Sequence, residues 1–289
     1  MTDITPFLVL GIALGGIYAL PAVGTIVLYR ATGVLNFASG AIGAVTALMT
    51  YTLIEVWGGP DLVGYVVGLA LGTGINIAYG FFYGRVYSQR DGLTKALGTL
   101  GLMLILLGLM STIWGDDARF LSLPTTAITV PLGVAVVNGT QILSVVLAAG
   151  FTLGTAIVLQ RTKIGTAMRA LADDRETSAL LGVPVRRVEL TAWAGFGLVS
   201  SISGLLLASL AGLSAVGLTF LVIPALAAAV IGRLTGLWTT FAAAIVIGVV
   251  QSSLSAFPDL ARFRTATPFV LAILATLWFA RRRTPLTRV

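Results

Sequence analysis

The sequence predicts an all-α, polytopic integral membrane protein with about 8–10 transmembrane helices, some of them broken or re-entrant. Three observations carry that prediction. Hydrophobic residues make up 57% of the 289 and Asp, Glu, Lys and Arg only 10%, against about 25% charged residues in an average soluble domain. The mean hydropathy is +1.00, so a water-soluble fold of this size could not enclose the apolar surface and lipid must solvate it. The apolar residues also fall into stretches near the roughly 20 residues with which a helix crosses a bilayer.

In chain order those stretches are 7–28, 34–56, 62–83, 94–114, 141–160, 190–212, 217–232, 236–254 and 266–280. The first has no basic n-region, since Asp3 is the only early charge, and no clear cleavage site precedes Arg30. It therefore reads as a retained span rather than a signal peptide. Pro21 and Pro224 lie within spans and are expected to kink or break them, opening backbone polar groups that only a protein interior or a lined cavity can tolerate. Segments 217–232 and 266–280 are short enough to be broken, tilted or re-entrant. Glycines recur at close spacing inside the spans: Gly11, Gly15 and Gly16, then Gly68, Gly72 and Gly74, then Gly195, Gly197 and Gly204. Ordinary close helix packing in lipid explains any one of them. The whole chain, 1–289, reads as a single transmembrane domain with one charged loop at 161–189.

Charge sets the orientation. With the N-terminus outside and nine alternating spans, the inner side carries Arg30, Arg85, Arg90, Lys95, the six basic residues of 161–187, Arg233, Arg281, Arg282, Arg283 and Arg288. That is 15 of the 18 basic residues, as the positive-inside rule requires. Arg119, Arg262 and Arg264 remain outside. The formal charge of +7 thus belongs to cytoplasmic loops, and no basic, aromatic-interleaved soluble domain exists to bind nucleic acid.

Composition removes much chemistry. There is no Cys and no His, which excludes disulfides, thiolate nucleophiles, imidazole bases and the usual zinc sites. No GxxxxGK[ST] phosphate loop is present, so the chain is not expected to hydrolyse ATP by that route, and no metal or cofactor is expected in it. Asp116 and Asp117, adjacent on an outer loop, are the only acids to suggest a membrane-embedded enzyme, and such pairs are usually just solvated. A self-sufficient proton- or sodium-coupled carrier would need an ionisable group at depth, and Glu55 is the one acid that the pattern could draw inward. The spans instead carry uncharged polar groups, among them Asn36, Ser39, Thr46, Asn76, Thr155, Ser200, Ser201, Ser203, Gln251, Ser252 and Ser253. Most Ser and Thr in a helix bond back to their own backbone. Asn36 and Asn76 are costlier to bury, and with Ser39, Thr46 and Ser200 they are the expected lining of a solute path.

The loop RTKIGTAMRALADDRETSALLGVPVRRVE (161–189) is the most informative polar stretch. Asp173 with Glu176 three residues later resembles a capping box, and Asp174 suits a helix N-terminus. Ala179, Leu180 and Leu181 form an apolar tip, Gly182 supplies a left-handed stop and Pro184 prevents continuation. The expectation is a capped helix of about eight residues, roughly 12 Å long: a rigid knob whose apolar run is too short for good membrane anchoring.

Two segments resemble a known family. GGIYALPAVGTIVLYRATGVLNFASGAIG (15–43) and TKIGTAMRALADDRETSALLGVPVRRV (162–188) look like the LivH-type permeases of branched-chain amino acid ABC importers, and the hydrophobic pattern extends the likeness over essentially the whole chain. The resemblance implies a non-enzymatic permease subunit of the bacterial inner membrane, to which the charge asymmetry adds an outside N-terminus and a cytoplasmic C-terminus. It also implies that the 162–188 loop holds a coupling helix docked on an ATPase, with Arg169, Ala172, Asp174, Glu176, Ala179, Leu180 and Gly182 as contacts. The implied partners are two ATP-binding subunits, a second related permease chain or a second copy, and an extracytoplasmic solute-binding protein. Two positions depart from the family pattern: Ser39 stands where His is common after Asn-Phe-Ala, and Arg233 stands at the second Gly of a Gly-Gly-Leu-Gly-like segment within 227–236. Permeases of this superfamily also carry urea, short amides and, in more distant branches, sugars.

Overall fold

The computed structural model describes residues 4–87, 90–115, 117, 119–132 and 135–282 of the chain. Among these, seven helices are long and apolar enough to cross a membrane and two apolar segments are shorter, which reproduces the nine expected stretches. The long helices are α1 (Thr5–Thr32), α2 (Ser39–Tyr51, continued by a π-helical turn over Thr52–Val56), α3 (Asp61–Val86), α4 (Gly92–Trp114), α5 (Gly139–Arg161), α8 (Val185–Ala211) and α11 (Leu237–Leu254). Between α5 and α8 lie α6 (Lys163–Asp173) and α7 (Arg175–Leu180). The segment 217–232 is indeed broken, into α9 (Ala215–Thr219) and α10 (Val222–Ile231). The chain closes with α12 (Pro258–Ala261) and α13 (Thr267–Arg282).

α1 is the hub, packing on α11, α8, α5 and α10. Its 28 residues span about 42 Å at 1.5 Å per residue. Close approach comes from small residues: a methyl added at Gly248 of α11 would strike the backbone of Gly11 and Gly15, and one at Gly204 of α8 would strike Gly43 of α2. Without a hydrophobic drive between helices in lipid, such backbone contact is a main source of packing energy.

The expected break at Pro21 does not occur; α1 runs through it. Proline removes the N–H that would bond the carbonyl four residues back, here Ile17. The Ser203 hydroxyl of α8 takes that carbonyl, donating to Ile17 O at 2.9 Å. Pro224 lies in the first turn of α10, and the span is interrupted just before it, at Phe220 and Leu221, where the proline has no N–H to bond Phe220 O. The second expected span instead starts late: Gly33 to Ala38 are not helical. Of the broken, tilted or re-entrant forms expected for 266–280, the broken one does not occur, since Thr267–Arg282 is a continuous helix. A short antiparallel hairpin, β1 (Thr129–Leu132) with β2 (Ala135–Asn138), lies in the 115–138 connection. The all-α expectation did not include it. Asp116 lies outside the described residues, as do Arg283 and Arg288; Asp117 is solvated beside Arg119, 4.0 Å away.

The bundle has two distinct ends. Residues Tyr29 to Gly33, at the end of α1, line the same cavity as Arg169, Leu171, Ala172, Asp173 and Arg175 of the charged loop, so Thr5 lies at the opposite end. Arg233 stacks over Phe279 of α13 and Arg30 bonds Thr235 O at 2.6 Å, which brings the close of α13 to the loop end.

If the Ser203–Ile17 bond is what lets α1 continue, Ser203→Ala leaves a buried carbonyl unsatisfied and should destabilise the purified protein by about 1–3 kcal/mol. Ser200, whose hydroxyl already has no partner, is the control: Ser200→Ala should change the unfolding midpoint in detergent little. Equal effects of the two substitutions would refute this account of Pro21.

Candidate functional site

The charged loop is built as a hinge followed by a tip. Thr162 closes α5 and opens α6: its hydroxyl donates to Val158 O at 2.7 Å and accepts from Gly165 N at 3.1 Å. Gly165 lies so close to the end of α5 that a methyl there would strike Val158 and Leu159. α6 is an amphipathic helix that the sequence reading left out. Met168 and Leu171 on its inner face are buried in a cluster with Leu28, Tyr83, Trp193 and Phe196, so α6 is anchored to the bundle.

The tip is α7, six residues long rather than about eight. Its cap is Asp174, not Asp173, which is the last residue of α6. Asp174 Oδ1 accepts from Glu176 N at 2.9 Å and Thr177 N at 3.1 Å, and Oδ2 accepts from the Thr177 hydroxyl at 2.6 Å. Glu176 thus contributes its backbone N–H to the cap instead of the expected reach-back of its carboxylate. Those bonds, the Thr177 hydroxyl first, hold the Asp174 carboxyl below the usual carboxylate range. Gly182 ends the tip at φ 85°, a conformation that suits only Gly well. Leu180 and Leu181 project from it, 88% and 80% exposed. The cap thus holds two adjacent apolar side chains out from the rest of the protein.

Arg175, at the first position of α7, pairs with Glu189 of α8. Glu189 is only 4% exposed, so this ion pair fastens the tip to a transmembrane helix. The sequence reading missed both residues: a separation of 14 positions carries no local signal. All seven expected contact residues are exposed, but they divide. Asp174, Glu176, Ala179, Leu180 and Gly182 belong to the tip. Arg169 and Ala172 sit on α6 and line a cavity of about 600 Å³ shared with Arg30, Lys95 and Arg175.

The five expected path residues are buried. Asn36 lies in the non-helical link; its Oδ1 accepts from Ala38 N at 2.7 Å, and its Nδ2 donates to Asn76 Oδ1 of α3 at 3.4 Å. The link is held further by Thr99 of α4, whose hydroxyl accepts from Phe37 N at 3.1 Å and faces Leu35 O at 3.0 Å. Thr46 donates to Ser201 at 3.0 Å. Ser39 opens α2, and Ser200 lies on α8. None of the five lines the cavity near the knob or a second one at the far end of the bundle. They lie in helix seams, and the seam between α3 and α8 holds unpartnered buried polar atoms: Thr73 Oγ1, Asn76 Nδ2, Tyr79 OH, Trp193 Nε1 and Ser200 Oγ. Glu55 is exposed in the π-helical turn at the far end of α2. Among the described residues, no cluster of acidic side chains could hold a metal ion.

A family model described as the permease component of a branched-chain amino acid transport system matches residues 7–280. The chain is similar to BraD of Pseudomonas aeruginosa, a high-affinity branched-chain amino acid transport system permease protein, at 26% identity over 94% of this chain and 92% of that one. LivH of Salmonella typhimurium, of the same description, is 23% identical over 92% of this chain and 91% of that one. A probable branched-chain amino acid transport permease protein, LivH, of Methanocaldococcus jannaschii is 25% identical over 81% of this chain and 75% of that one.

Because the Asp174 carboxyl is held low, its cap should persist through neutral and mildly acidic pH and be lost only as pH falls through that depressed value, below the ordinary carboxylate pKa of about 3.9. Asp174→Ala should remove it at every pH. Amide exchange at Glu176 and Thr177 should then rise severalfold at pH 7, while the α6 amides stay protected; unchanged exchange would mean that the cap does not order the tip.

Proposed function

We propose that this chain, which belongs to the family of branched-chain amino acid transport permease components, is the membrane-spanning subunit of an ABC importer that moves branched-chain amino acids or a related small polar solute inward. In this reading it lies in a bacterial inner membrane with the 161–189 loop and the C-terminus in the cytoplasm and Thr5 outside. Two ATP-binding subunits engage the loop, a second related permease chain or a second copy completes the pore, and an extracytoplasmic binding protein delivers solute. The chain holds no cofactor, and its free energy comes from the ATPase partners.

The single observation that carries this reading is the α7 tip. A capped turn with Leu180 and Leu181 exposed at its apex and its first residue ion-paired to a buried Glu189 has the shape of a lever rather than a lipid anchor. Movement imposed on the tip passes through Arg175 to α8 and through Met168 and Leu171 to the helices around α1. The Asn36–Asn76 seam is the proposed path: groups packed together in this conformation part as α3 and α8 shift, and their unpartnered polar atoms then face a passing solute or water. Urea and short amides are the alternative cargo, since a path of Asn, Ser and Thr suits them equally.

Affinity capture from the native membrane, with mass spectrometry of co-eluting chains, tests the assignment. The wild-type protein should bring down an ATPase with a GxxxxGK[ST] motif. Leu180→Asp with Leu181→Asp, or deletion of 174–181, should reduce its recovery at least tenfold, because a charge in an apolar contact removes most of its energy. An absent ATPase in both samples, together with persisting solute uptake, would sink the importer reading in favour of a self-sufficient carrier.

A further inference from the structure

The far end of the bundle, away from the knob, contains a cavity of about 730 Å³ between α1, the close of α8, α9, α10 and the close of α11. That volume falls in the range of roughly 300–1,000 Å³ typical of small-molecule sites. Its walls are largely aliphatic, with Leu14, Leu207, Leu210 and Leu221 among them, and it reaches Tyr18, about halfway along α1.

A few polar groups interrupt those walls. Arg264 lines the cavity from the short 3₁₀ turn before α13, and Tyr18 lines it from α1. Among the described residues no carboxylate pairs with it; the two ion pairs there are Arg119–Asp117 and Arg175–Glu189. On α11, Gln251 Oε1 and Ser252 Oγ are buried without hydrogen-bond partners, and Ser252 is only 3% exposed. An unsatisfied buried acceptor beside a cavity costs stability unless something occupies it. None of the described lining residues is Asp or Glu.

We propose that this cavity is a transit binding site for a zwitterionic aliphatic α-amino acid: Arg264 holds the carboxylate, Gln251 Oε1 and Ser252 Oγ accept from the ammonium, and the leucine walls receive the side chain. The assignment rests on the importer reading above and gives the chain a specificity of its own beyond that of a separate binding protein. A guanidinium meets a carboxylate through two parallel N–H bonds, and an amide oxygen is an acceptor suited to an ammonium. A second positive charge on the cargo would find no counter-ion in the cavity, so lysine is excluded where leucine, isoleucine and valine are accepted.

The test uses the complete importer in proteoliposomes, with loaded binding protein at saturating concentration, reading the rate of leucine import. Co-purification of the ATPase subunits and retention of the binding protein are checked for every variant. Arg264→Gln should lower import about tenfold or more, the worth of a charged hydrogen bond, with Arg264→Lys recovering part of the loss. Leu210→Trp, which fills the cavity without touching a charge, should lower it comparably, and this second variant decides the matter if Arg264→Gln fails to assemble. Import within twofold of wild type in both variants overturns the site. Failure of Arg264→Gln to retain the binding protein, with normal import by Leu210→Trp, assigns Arg264 to docking and also overturns it. A wild-type complex that imports no aliphatic amino acid defeats the proposed function itself, a different result from either of these.

Discussion

In a chain solvated by lipid, every backbone N–H or C=O that a helix leaves unpaired must find its partner inside the protein, and that requirement explains where this chain spends its polar side chains. Pro21 frees Ile17 O, and Ser203 takes it. The non-helical link from Gly33 to Ala38 is held by Thr99 on Phe37 N and Leu35 O, by Asn36 on Ala38 N, and by the Tyr83 hydroxyl on Thr32 O at 3.1 Å. Ser144 of α5 donates to Ala13 O of α1 at 3.0 Å. The Ser203, Thr99 and Tyr83 bonds join a local irregularity to a neighbouring helix, so the same contacts that remove a backbone penalty also tie those helices together.

That accounting sharpens the meaning of the polar atoms left over. Ser203 and Thr99 are structural because their partners are backbone groups that would otherwise be orphaned. Asn76 Nδ2, Tyr79 OH, Ser200 Oγ and Ser252 Oγ have no such duty. They gather in two places, the seam between α3 and α8 and the cavity at the far end.

α8 connects these places. It starts beside the knob, where Glu189 takes Arg175, passes the seam at Trp193 and Ser200, takes hold of α1 through Ser203, and ends at the cavity with Leu207 and Leu210. Its 27 residues amount to about 40 Å of helix. It is a single continuous helix over that length, fastened to the tip by the ion pair at its start. The turn at 232–236 has a different character: Arg233 and Leu234 adopt φ of 57° and 55°, a strained conformation for non-glycine residues, and at Arg233 the resemblance leads one to expect Gly. Arg30 on Thr235 O and the Arg233–Phe279 contact hold that turn.

The sequence by itself determined the class of molecule and its segments, because hydropathy over twenty residues reports directly on whether lipid can solvate a helix. It also located the knob, with Gly182 as its stop, because caps and stops act within one turn and leave a local signature. It misplaced the cap by one residue, since Asp173 and Asp174 are chemically alike and only the path of the backbone decides which one leaves the helix. It could not foresee that α1 would pass through Pro21, because the group that compensates sits 186 positions away. The Arg175–Glu189 pair, the Asn36–Asn76 contact and the company of Arg264 with Gln251 were likewise decided only by tertiary structure. Each is a meeting of side chains on different helices, and helix packing in lipid is set by which small residues let two backbones approach.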